Sequence, residues 1–167
     1  PQGTDVAALQ SRLQPLFTTH FQREIWLITA GNSEIEVAFD QGEVSAGEFS
    51  EPLCEVELEL KRGERQDLLT FAQQLVAQGG LRMGSLSKAA RGYQLAQGNP
   101  PRLIKPFPLL KAGTKATVEQ GMVAAMSAGL SHWQYHEEVW LRGNAAAQDA
   151  VREALDLLRQ AFSLFGA

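Results

Sequence analysis

Cysteine is nearly absent from this chain: Cys54 is the only one in 167 residues. No intrachain disulfide can form, which predicts a reducing, cytoplasmic setting. No apolar run is long enough to span a bilayer and no signal-peptide pattern is present, so no membrane partner is expected. Basic residues are outnumbered, 15 Lys and Arg against 19 Asp and Glu, for a net charge of −4. That balance argues against duplex nucleic acid, whose phosphates require a basic surface. It leaves room for a small phosphorylated ligand in a local basic pocket. Glycine-rich phosphate loops, GxSxG and the Rossmann fingerprint are all missing. Of three histidines, His20 is isolated, while His132 and His136 lie four apart on a predicted helix. That spacing can bind zinc. There is no HExxH, and the neighbouring Trp133, Tyr135 and Trp140 point instead to a packed aromatic helix.

What is present suffices for a packed core, with 44% hydrophobic and 20% charged residues. The most ordered pattern is Cys54–Lys61, CEVELELK. Glu55, Glu57, Glu59 and Lys61 alternate with Val56, Leu58 and Leu60, the period-two signature of a half-buried strand. Before it come strand-like runs at 21–29, 34–40 and, more weakly, 43–49. Ala30–Ser33 is a predicted turn, and Gln41-Gly42 a predicted tight hairpin. Four short strands on short turns describe an antiparallel meander.

Helical spacing is expected over Val6–Phe17, kinked near Pro15. A second helix is expected over Arg65–Gln78, stopped by Gly79-Gly80. Asn99, Pro100 and Pro101, with prolines at 106 and 108, mark a linker. Two long helices follow, Thr117–Trp140 and Ala145–Phe165, separated by Arg142-Gly143-Asn144. Thr117 with Gln120 is a possible capping box.

The chemistry-bearing residues fall in two groups. Glu34, Glu36 and Asp40 share one strand face, and Glu55, Glu57 and Glu59 share another. Carboxylates two apart on a strand face are roughly 7 Å apart. Their repulsion is about 0.6 kcal/mol in water and about 2.4 kcal/mol at an effective dielectric near 20. Such a ladder is cheap on a solvated face, which composition favours. In an enclosed cavity it needs a hard divalent cation or basic side chains. The second group is Arg23, and Lys88 and Arg91 beside Ser85 and Ser87. Arg and Lys suit phosphate oxygens. Taken alone, Lys88 and Arg91 also read as an ordinary solvated helix face.

Taken in order, FQREIWLI, EIEVAFDQGEV, CEVELELKRG and SLSKAARGYQLAQGNP resemble the bacterial inorganic triphosphatases built from a CYTH domain followed by a CHAD domain. The resemblance implies an α+β chain whose antiparallel sheet lines a charged tunnel, followed by a helical hairpin. It implies that Asp40, Glu55, Glu57 and Glu59 hold Mg²⁺ or Mn²⁺. It gives Glu57 and Lys88 catalytic roles, and assigns phosphate binding to Arg23, Lys88 and Arg91. The implied reaction is hydrolysis of inorganic triphosphate to pyrophosphate and phosphate. Adenylate cyclase, thiamine triphosphatase and non-catalytic polyphosphate binding are the alternatives.

The family's ExExK strand is missing before residue 34, and the chain begins with Pro1 rather than Met. The expectation is therefore half of a barrel: residues 1–98 as the second half of the CYTH domain, inactive without the first half as partner. Residues 99–113 would be the linker, and 114–167 the start of CHAD. In that tail Arg152 and Arg159 remain, but a histidine position is Asp149 and a paired-arginine position is Asp156-Leu157. This disfavours polyphosphate binding there.

Overall fold

A computed structural model describes residues 8, 10, 12–110 and 115–165. Three long strands, β1 (Thr18–Ala30), β2 (Ser33–Ala46) and β3 (Phe49–Arg62), form an antiparallel sheet in the order β1-β2-β3. The helices are α1 (Arg65–Ala77), α2 (Lys88–Ala96), α3 (Val118–Leu141) and α4 (Ala147–Phe165). The α+β class is as expected, with helices flanking an antiparallel sheet. Of the helix expected over Val6–Phe17, residues 6, 7, 9 and 11 lie outside the described residues; Ala8 and Gln10 are helical, and 13–17 carry no regular element.

Four predicted strands become three, because Gln41-Gly42 is not a turn. Gly42 pairs with Phe21 on one side and Leu53 on the other, in the middle of β2. A Cβ there would sit 2.1 Å from the His20 carbonyl oxygen and 2.5 Å from Phe21 Cα. The glycine is needed for close backbone approach within the sheet. The β2–β3 turn instead uses Gly47, whose φ of 57° suits a residue without Cβ.

The chain divides into two compact units, residues up to Pro100 except 83–85, and Met83–Ser85 with the residues from Pro101 onward. In the first, α2 covers one sheet face. Leu95 packs on Val44 and Ala46, with Phe17 and Phe49 against them. Gly92 lets the helix approach Phe17, since a Cβ there would lie 2.2 Å from Phe17 Cδ2. The β1–β2 turn is tied to the start of α1: Ser33 Oγ donates to Asp67 at 2.6 Å and accepts from the Glu64 N–H at 2.7 Å.

In the second unit α3 and α4 pack through small residues. Gly129 faces Leu158, and Ala150, Ala154 and Ala161 are buried along α4. The capping box is present, Thr117 Oγ1 accepting from Gln120 N and Gln120 Oε1 accepting from Thr117 N. Residues 103–107 run along α3. Tyr135 donates its hydroxyl to the Leu103 carbonyl, and the Lys105 N–H donates to His136 Nε2 at 3.0 Å. His136 therefore carries its proton on Nδ1, which donates to the His132 carbonyl at 2.8 Å. Both ring nitrogens are used by backbone, which suits the packed-helix reading of this pair.

Candidate active site

Strand register assembles the site. Arg23 pairs with Asp40 across β1 and β2, and Asp40 pairs with Glu55 across β2 and β3. Residues opposite each other across a ladder share a face, as do those two apart along a strand. Arg23, Asp40, Glu55 and Glu57 thus gather on the face that α2 covers. Lys88, the first residue of α2, reaches down onto them. Ser87 fixes that end of the helix by accepting from Ala90 N at 3.1 Å.

Asp40 is fully buried and Glu57 is half exposed, so the cluster runs from the interior to solvent. Arg23 donates from Nε and Nη2 to the two oxygens of Asp40, each at 2.6 Å. Its Nη2 also reaches Glu57 Oε2 at 2.6 Å. Lys88 Nζ lies 2.5 Å from Glu55 Oε1, 2.7 Å from Asp40 Oδ2 and 2.9 Å from Glu57 Oε1. The Arg23 guanidinium, with Lys88, holds the Asp40 carboxyl down at about 2 against the opposing cost of burial. Glu57 is lowered too, chiefly by its hydrogen bond from Lys88. Lys88 is pulled down by desolvation, but its bonds to Asp40, Glu55 and Glu57 outweigh that and raise it. Arg23, Asp40, Glu57 and Lys88 are therefore all charged at neutral pH.

Oxygens of Asp40, Glu55 and Glu57 all lie within 4.8 Å of one another. This is the one such acidic group among the described residues. A convergent all-oxygen donor set suits a hard divalent cation rather than a thiophilic one. Glu59, expected with them, is placed elsewhere: it and Glu36 share Lys61, each at 3.0 Å. The cause is register, which sets Glu59 opposite Glu36 and two positions beyond Glu57. The hydrogen bonds that Lys61 donates to Glu36 and Glu59 hold its ammonium above the usual lysine range.

Arg91 also joins the site's edge. It donates to Glu51 Oε1 at 3.1 Å and stands 3.5 Å from Glu55 Oε2. Glu51 was missed in the sequence. Its signal was parity with Glu55, hidden by Pro52. Proline is tolerated here because β3 is an edge strand.

Residues 2–93 match the CYTH domain and residues 124–167 match the CHAD domain. Over 85 residues, 51% of the chain, it is 49% identical to an inorganic triphosphatase of Haemophilus influenzae, of which that stretch covers 24%. The chain thus spans about a quarter of that relative's length. The CYTH match begins at residue 2, so the expectation that only the second half of that domain is represented does not hold.

Proposed function

Because the chain belongs to the CYTH domain family, we propose that its acid–base cluster is a metal-dependent phosphohydrolase centre. The parent protein would split inorganic triphosphate into pyrophosphate and phosphate. One observation carries the reading: Asp40, Glu55 and Glu57 converge beside Arg23 and Lys88 on one sheet face. A phosphoanhydride substrate needs cationic groups for its oxygens and carboxylates for the cation that accompanies it.

In this reading Asp40, Glu55 and Glu57 hold Mg²⁺ or Mn²⁺. The bound ion would supply charge neutralisation and a more acidic water. Arg23 is pinned to Asp40 and offers its remaining N–H groups toward phosphate oxygens. Lys88 contributes a mobile point charge, and Arg91 stands at the edge beside Glu55. Half-exposed Glu57 is the carboxylate nearest solvent and is best placed to accept a proton from an attacking water. Polyphosphate is a second partner of the same chemistry. A cytoplasmic location fits the single cysteine. No helix among the described residues is long and apolar enough to cross a membrane.

The test is phosphate release from inorganic triphosphate by the full-length parent, with and without Mg²⁺. Glu57→Gln should lower turnover by at least about 100-fold, the usual size of a general-base contribution. Turnover that persists without metal, or in Glu57→Gln, overturns the assignment. ATP and thiamine triphosphate as competing substrates separate this reaction from other chemistries of the family.

A further inference from the structure

Lys88 has a second role legible in its contacts. Its ammonium has three N–H donors, and three carboxylates stand at 2.5, 2.7 and 2.9 Å. They are Glu55, Asp40 and Glu57, the groups whose oxygens converge within 4.8 Å. The lysine therefore occupies the place where a divalent cation would gather the same oxygens. Ammonium and dication cannot share it, because they compete for the same lone pairs and repel each other.

We propose that Lys88 is the built-in counter-ion of this acid cluster, and that an entering divalent cation displaces its ammonium toward the substrate side. The proposal rests on the metal reading above and deepens it. Metal binding would then do two things at once: fill the carboxylate site and release the cation that grips phosphate. The two binding events become positively coupled.

The surroundings favour Lys88 as the moving part. Arg23 is held to Asp40 through a two-pronged fork, whereas Lys88 is a point charge on a flexible four-carbon stem. Its helix is fixed independently, by the Ser87 cap and by Leu95 in the core, so only side-chain torsions need to change. The position at the start of a helix disfavours a cation, so the carboxylates are the main groups that hold the ammonium in place. The Phe21 ring, 5.2 Å from Nζ, offers a cation–π surface beside the cluster.

The test uses the full chain, an amine-acylating reagent and mass spectrometry of each lysine. Lys88 is only 15% exposed while bound to its carboxylates. Adding Mg²⁺ should raise its labelling rate about tenfold, within the usual range of coupling between linked sites, while Lys105 stays unchanged. Glu57→Gln should abolish the response. By calorimetry, Lys88→Met should bind Mn²⁺ more tightly than the parent chain. If Mn²⁺ binds and Glu57→Gln weakens it, yet Lys88 labelling is unchanged or falls, the displacement is overturned and the metal site stands. If Mn²⁺ does not bind the parent chain, both ideas fail.

Discussion

Arg23 and Asp40 are direct cross-strand partners, and the guanidinium of one donates to both oxygens of the other at 2.6 Å. Asp40 is fully buried, while Arg23 remains one-third exposed. The pair therefore links the interior of the sheet to its polar surface. Removing the acid would leave Arg23 and Lys88 without their buried partner.

Asp40→Asn is accordingly expected to destabilise the sheet unit by about 1–3 kcal/mol. A fully buried pair would lose more, and the exposure of Arg23 softens the loss. Urea unfolding followed through Trp26, which lies on β1, measures it. A loss below about 0.5 kcal/mol would contradict a structural role for the fork.

Acid should unfold the same unit. Asp40 sits at about 2 in the folded chain against an ordinary 3.8, and Glu57 is also lowered from its ordinary 4.5. Both are depressed carboxyls, so their contribution is complete above pH 4.5. It declines as pH falls through 3.8 toward about 2, because the unfolded chain takes up protons first. Urea midpoints measured between pH 6 and pH 2.5 should drop through that window, and drop less in Asp40→Asn.

Gly92→Ala sets two effects against each other. Alanine improves helix propensity by about 1 kcal/mol. Its methyl would stand 2.2 Å from Phe17 Cδ2 and 2.4 Å from Cγ. Overpacking of this kind costs about 1–3 kcal/mol, so the net change is destabilising. Phe17→Leu in the same chain should recover part of the loss, which thermal melts of single and double variants will show.

The helical unit carries its own pH dependence. His132 is buried, its Nε2 has no hydrogen-bond partner, and desolvation together with nearby His136 lowers it from 6.5. The unfolded chain therefore gains a proton near 6.5 that the folded chain resists, and stability falls as pH drops below that value. His132→Phe removes both the unsatisfied nitrogen and the titration. It should stabilise this unit by about 1 kcal/mol at pH 6 and flatten its pH profile. Melts at pH 7.5 and pH 5.5 decide it.

Several features were legible from residue order. Alternation placed Glu55, Glu57 and Glu59 on one face of a strand. The capping box at Thr117 and Gln120 formed as its residue types require, and Arg142–Asn144 separates two helices as its glycine suggested. These are local features, decided within a few residues. The hairpin at Gln41-Gly42 was misread for a related reason. A glycine demanded by a neighbouring backbone and a glycine demanded by a turn leave the same mark in a sequence.

Residue order by itself determined which side chains share a strand face and where the long helices run, because periodicity is a local property of the backbone. It also supplied the acidic and basic residues from which a phosphate site can be built. Only the tertiary structure decided which of them meet. Strand register put Asp40 between Arg23 and Glu55, and sent Glu59 to Lys61. The packing of Val44, Ala46, Phe17 and Phe49 around Leu95 brought Lys88 down onto three carboxylates. Those distances depend on pairing between segments 15 to 48 residues apart, and no local pattern specifies them.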